Sequence, residues 1–218
     1  MNIQALIDPA SLAIVLGGTL LATMLRSGPA EWRATAHCLG QLRKRRFSYN
    51  QARAELAPQV EAICTDGVLH ARPEPSGDAE IAEATDALIR HRSIGALIEA
   101  HERHRQMRQS LRRRALHMLG QAGELAPVFG LVGTLVALSQ MTSDGLARGA
   151  LMGAVATAVL TTLYGLLVAH LLIFPIARSI ERRGEAEESE RQKLIDWLAG
   201  QLASAMPRAP HDISEKAA

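Results

Sequence analysis

The stretches "APVFGLVGTLVAL", Ala126–Leu138, and "ALMGAVATAVLTTLYGLLVAHLLIFPIA", Ala150–Ala177, decide the fold. No Asp, Glu, Lys or Arg occurs from Gly149 to Ala177. At about 1.5 Å rise per residue this exceeds the roughly 20 residues that cross a bilayer core. Leu125–Met141 is shorter but uncharged, and it crosses with little tilt. A third apolar run is "SLAIVLGGTLLATML", Ser11–Leu25, which extends back toward Ile3 with only Asp8 interrupting. A cleavable signal peptide competes for this run, but such peptides open on a positive segment, and no Lys or Arg precedes Arg26. The reading is therefore an all-α, polytopic membrane protein with three transmembrane helices and a helical cytoplasmic portion.

Charge sets the expected orientation. Sixteen Lys and Arg lie between Arg26 and Glu124, seven more follow Ala177, and only Arg148 separates the second and third spans. Positive charge stays inside, which places both large segments in the cytoplasm and sends the N-terminus and the link 142–148 outward. The formal net charge of +2 conceals this asymmetry. Four regions are expected: a first transmembrane helix over 1–25, a cytoplasmic helical segment over 26–122, a transmembrane hairpin over 123–178, and a cytoplasmic helix and tail over 179–218.

Within the cytoplasmic part, Trp32–Leu42 and Tyr49–Ile63 carry apolar residues at three and four spacing. The loop "DGVLHARPEPSGD" breaks the pattern and Ala79–Leu119 resumes it. Arg178–Met206 reads as a charged helix, and the end from Pro207 as frayed. The basic runs "RKRR" at 43–46 and "RRR" at 112–114 have no aromatic platform beside them. They read as contacts to the bilayer's anionic lipid, worth about 1 kcal/mol per charge, and not as a nucleic-acid surface. Cys38 and Cys64 fall on the reducing side, so no disulfide is expected. "HERH", His101–His104, sets two imidazoles one turn apart but sits in a heavily charged helix, where solvated side chains explain it without a metal. No phosphate-binding glycine loop, no Gly-x-Ser-x-Gly and no metalloprotease spacing is present. Neither an enzyme nor a cofactor is expected.

The glycines and threonines of the hairpin carry the functional reading. Helices in lipid gain nothing from burying apolar surface against each other, so they associate through small residues and polar side chains. Every fourth residue of the last span gives Gly149, Gly153, Thr157, Thr161, Gly165 and Ala169, and one position along lie Ala150, Ala154, Ala158 and Thr162. The preceding span offers Ala126, Gly130 and Thr134, with Gly133 and Ala137. Gly130, Gly133, Gly153, Ala158 and Gly165 are accordingly expected at helix contacts. Two small faces on one helix imply more than one neighbour and favour an oligomer. Thr134 and Thr162 lie roughly 14 Å and 18 Å from the inner ends of their spans, near the midplane. Each hydroxyl either bonds the carbonyl one turn back or finds a partner across an interface.

These residues resemble the paired pore helices of the MotA/TolQ/ExbB proton-channel family, and "IDPASLAIVLGGTLLATMLRSG" resembles an early helix of its flagellar MotA branch. The resemblance covers about Gly123–Arg178 and Ile7–Gly28. It implies that Thr134, Thr161 and Thr162 line an ion path and that Pro127 and Pro175 mark the inner ends of the pore helices. It also implies a homo-oligomer, a pentameric ring, around a small single-span MotB/TolR/ExbD-like partner that supplies an intramembrane Asp. The first of MotA's four spans has no counterpart here, so the topology is similar to that of TolQ and ExbB while the pore sequence is closer to MotA. The acidic residue of ExbB-type last spans corresponds to Thr157. The rotor-contacting motif of flagellar stators is not recognisable around "CTDGVLHARP".

Neither pore helix contains a carboxylate; Glu124 and Asp144 lie at the ends, and His170 is the titratable residue within. Intramembrane proton relays use Asp, Glu or His. Either His170 is a relay, or it snorkels or bonds a neighbouring helix while a partner chain brings the carboxylate. The expected function is a stator-type proton-channel subunit of the bacterial inner membrane that couples the proton motive force to mechanical work. A Na+-driven stator or a non-conducting scaffold of the same fold is the alternative.

Overall fold

The computed structural model describes residues 8–66, 77–139 and 148–203, and among them all regular structure is helical. Seven helices follow one another: α1 Pro9–Arg26, α2 Pro29–Arg43, α3 Tyr49–Asp66, α4 Ala79–His91, α5 Ile94–Ser139, α6 Arg148–Leu167 and α7 Phe174–Leu202. Among the described residues three stretches are long and apolar enough to cross a membrane: Pro9–Arg26, a window of Ile94–Ser139, and a window of Met152–Leu202. The link 142–147 and the tail beyond Pro207 lie outside the described residues.

Local chemistry sets the helix starts. Asp8 caps α1, its carboxylate accepting from the Ala10 and Ser11 N–H groups, and Pro9 begins the helix where no donor is needed. The Asp8 N–H in turn donates to the Tyr164 hydroxyl at 3.0 Å. The helical pattern from Ala79 to Leu119 is carried by two helices. It breaks at Arg92, whose φ of 49° is left-handed. Ser93 then starts α5, its hydroxyl accepting from the Gly95 N–H at 3.1 Å. From Ile94 the chain continues without interruption through Pro127 for 46 residues, about 70 Å.

The last span and the tail are likewise continuous. Between α6 and α7 the chain forms a π-helical turn over Val168–Ile173, in which the Phe174 N–H reaches back five residues to the Ala169 carbonyl. Pro175 follows immediately. Without an N–H it cannot serve the Leu171 carbonyl, and its ring crowds that carbonyl, so the widened turn absorbs the misfit.

The chain divides into two compact units, Met1–Lys44 with Ser110–Arg183, and Arg45–Gln109 with Gly184–Ala218. In the first, α1 packs along α6 and buries Ser11, Val15, Thr19 and Thr23, every fourth residue of one face. The Phe129 ring lies against Gly18, where an added Cβ would fall 2.2 Å from it. Arg183 donates to the Leu42 carbonyl at 2.7 Å and to the Lys44 carbonyl, satisfying acceptors at the end of α2. Leu20, Leu21, Leu25, Leu135, Leu171 and Leu172 are exposed, as lipid-facing side chains are.

The second unit has a hydrophobic core of its own, with Leu56, Ile63, Ile81, Leu88, Leu97, Leu194, Ile195 and Leu198 in one cluster. An ion network runs beside it. Arg191 donates to Asp78 at 2.7 Å and Glu187 at 3.2 Å, and its guanidinium sits 4.4 Å from the Phe47 ring centre. Arg108 meets both oxygens of Glu188, at 3.0 and 3.1 Å, and also Glu80. Burial raises the Asp78 pKa, but the Arg191 hydrogen bond and charge outweigh it and hold the carboxyl below its ordinary range.

Candidate ion pathway

Ala126, Gly130, Gly133 and Ala137, at alternating spacings of four and three, form one buried stripe on α5. Thr161, Gly165 and Ala169 form the facing stripe, at a spacing of four, on α6 and the π-helical turn. Their contact is backbone against backbone. A Cβ on Gly165 would lie 2.6 Å from the Ala126 carbonyl oxygen, 3.1 Å from Pro127 Cα and 3.2 Å from Gly130 Cα. One on Gly130 would lie 2.9 Å from the Thr161 carbonyl oxygen and 3.2 Å from Thr162 Cα. Any side chain larger than hydrogen at these two positions would separate the helices.

The three threonines are not equivalent. Thr161 is fully buried, and its side chain fills the hollow at Gly133, where an added Cβ would stand 2.7 Å from Thr161 Cγ2. Thr134 and Thr162 flank the seam and stay half-exposed. All three donate to their own helices: Thr134 to the Leu131 carbonyl at 2.6 Å, Thr161 and Thr162 both to the Ala158 carbonyl at 2.9 and 3.2 Å. This is the self-satisfied geometry of membrane threonines. It uses the hydroxyl proton and leaves the oxygen lone pairs, which are what a cation needs.

Gly153 stands apart, with no atom of another element among the described residues within 4 Å of where its Cβ would be, and Ala158 is half-buried. Pro127 is half-buried and Pro175 exposed. His170 is exposed on the π-helical turn, its ring 5.4 Å from that of Phe174, which itself covers Gly123. His101 and His104 diverge. His101 is buried, and burial pushes its pKa below the ordinary histidine range, whereas His104 bonds Glu83 at 2.9 Å. Among the described residues no three His, Cys, Asp or Glu gather as metal ligands. Cys38 and Cys64 are free thiols.

The profile of the MotA/TolQ/ExbB proton channel family matches residues 77–193, more than half the chain. The chain belongs to this family. Among curated relatives of this MotA/TolQ/ExbB member, the uncharacterized protein YtxD of Bacillus subtilis is 34% identical over 126 residues, 58% of this chain and 42% of that protein's length. The chemotaxis protein PomA of Vibrio alginolyticus is 23% identical over 95% of this chain and 82% of its own length. The flagellar MotAB stator complex from Bacillus subtilis contains a chain of the same fold, with a TM-score of 0.79 at 21% identity, covering 92% of this chain and 81% of that one. The MotAB complex of C. jejuni matches at the same TM-score and 20% identity. The three apolar helices, the membrane character and the stator-type fold are thus established for this channel-family member.

Two features of the site were missed by sequence reasoning. The hydroxyl stripe Ser11, Thr19, Thr23 that faces α6 has the four-residue spacing recognised in the hairpin, so the same rule would have found it. The π-helical turn has only a weak signal, a proline two residues beyond it.

Proposed function

We propose that this chain is the channel subunit of an ion-driven stator. The Gly130/Gly165 contact carries the reading. Backbone-to-backbone packing makes α5 and α6 one rigid wall, and half-exposed Thr134 and Thr162 oxygens beside the seam can take a cation in transit. The hairpin over 123–178 is the conducting part, with 1–25, 26–122 and 179–218 as its support. The apolar spans of the hairpin hold no carboxylate, Glu124 and Asp144 lying at their ends, so a proton path needs His170 or a carboxylate from a second chain. A single-span partner with an intramembrane Asp fits; the solved relatives are described as MotAB complexes. The second small row, Ala150, Ala154 and Ala158, beside the one that packs on α5, suits a second copy, and contacts that close head to tail give a ring, proposed as a pentamer. No enzymatic step is assigned. The Lys and Arg distribution supports the bacterial inner membrane with the N-terminus outside and the C-terminus in the cytoplasm.

A second reading is a non-conducting scaffold, favoured by the fact that all three threonine hydroxyls are satisfied within their own helices. Proteoliposome flux with the single-span partner, measured for H+ and Na+ separately, tests both. Thr162→Val should cut flux with the complex still assembled, and Thr162→Ser should retain it. A parent complex passing neither ion would leave the scaffold.

A further inference from the structure

A cavity of about 1140 Å³ lies in the first unit, where the last span emerges past Pro175, and its lining includes Leu116, His170, Phe174, Arg178, Glu181 and Arg182. We propose that it seats the phosphate headgroup of an anionic phospholipid from the cytoplasmic leaflet, held by Arg178 and Arg182. The two arginines are one turn apart on α7 and both are exposed. Among the described residues neither has an ion pair or hydrogen bond. Their neighbour Arg183 is consumed by the Leu42 and Lys44 carbonyls. Two cations left free beside one that is engaged make an anion seat, and guanidinium geometry suits phosphate.

What lies outward of the seat identifies the anion as a lipid. Leu171, Leu172 and Ile176 are exposed on the turns just before Arg178, an apolar rail for acyl chains. The span ends at Ala177, so the arginines sit at headgroup depth. Ser179 does not compete for the phosphate, because its hydroxyl donates to the Pro175 carbonyl at 2.7 Å. Glu181 lines the same cavity and opposes an anion, so its effect has a definite sign. The depth rests on the proposed orientation; the headgroup chemistry does not.

The test is native mass spectrometry of the full chain, purified in detergent, stripped of lipid and titrated with phosphatidylglycerol or phosphatidylcholine. Phosphatidylglycerol should bind in preference. Each of Arg178→Gln and Arg182→Gln should weaken it about fivefold, and the pair about thirtyfold, from about one kcal/mol per cation at a lipid surface. Glu181→Gln should tighten it. Arg103→Gln, which removes an exposed cation of the second unit that does not line the cavity, should leave it unchanged. Neither arginine supports the fold, so helix content by circular dichroism should be kept in all variants. Equal binding of the two lipids, or full retention in the double arginine variant, overturns the proposal. So does displacement of the lipid by millimolar inorganic phosphate, which would mean a free-anion site. So does a purified oligomer that takes up no phosphatidylglycerol, which would mean that a second copy covers the cavity. The measurement involves neither partner nor flux, so failure of the channel reading leaves it standing.

Discussion

Replacing Gly165 with alanine tests the α5/α6 seam directly. The new Cβ falls 2.6 Å from the Ala126 carbonyl oxygen, about 0.8 Å inside the ordinary contact range that begins at 3.4 Å. It also meets Pro127 Cα and Gly130 Cα, at 3.1 and 3.2 Å. All three atoms are backbone of one continuous helix, so no side chain can rotate away and α5 must shift as a body. Overpacking of this kind costs about 1–3 kcal/mol, opposed by up to about 1 kcal/mol of helix propensity gained from the lost glycine. The expected net loss is about 1–2 kcal/mol. It would be read as a lower midpoint of thermal unfolding in detergent, followed by circular dichroism at 222 nm. Gly153→Ala is the internal control, since no other element among the described residues comes within 4 Å of its Cβ, and it should leave the midpoint of the dissociated chain unchanged or slightly raised. If Gly165→Ala unfolds at or above the parental midpoint while Gly153→Ala falls, the helices do not meet at Gly165 and the wall of the proposed path is misplaced.

Four other outcomes follow from the same structure. His170→Gln should reduce partner-dependent flux in liposomes less than Thr162→Val does; abolition by His170→Gln alone would route the relay through the imidazole. Acidification from pH 7.5 to 5 should destabilise the second unit. The buried His101, facing Arg105, Arg108 and Glu188, has its pKa lowered below 6.5 by burial, then by Arg108; its stabilising contribution is therefore complete above 6.5 and declines as pH falls toward the folded value. A denaturant series across that window should show a shallower slope for His101→Gln. Asp78→Asn keeps the cap on α4 but takes the carboxylate from Arg191, and about 1–3 kcal/mol of unfolding free energy should be lost. In whole cells, a cysteine placed at Ser143 of a Cys-free variant should react with an impermeant thiol reagent and one at Ser76 should not; labelling at Ser76 alone would reverse the orientation.

The sequence by itself determined what is local or statistical. Uncharged length made the spans legible, because a bilayer demands about 20 apolar residues whatever the fold. Four-residue spacing of Gly, Ala and Thr made Gly130, Gly133 and Gly165 legible as contacts, because only small residues let helices approach in lipid. Tertiary structure alone decided which small face meets which. Thr161 and Thr162 are neighbours with identical side chains, yet the register of α6 against Gly133 buries the first and leaves the second half-exposed. Periodicity could not separate Ala79–His91 from the helix after it, because the break depends on one left-handed residue, Arg92, ahead of a serine cap. The stripe on α1 repeats every four residues and is legible by the same rule, but that it packs along α6 was decided by the tertiary structure. The free pair Arg178 and Arg182 could not be told from the engaged Arg183 in a run of similar charges, because what distinguishes them is the position of the α2 carbonyls, brought near by folding across about 140 residues.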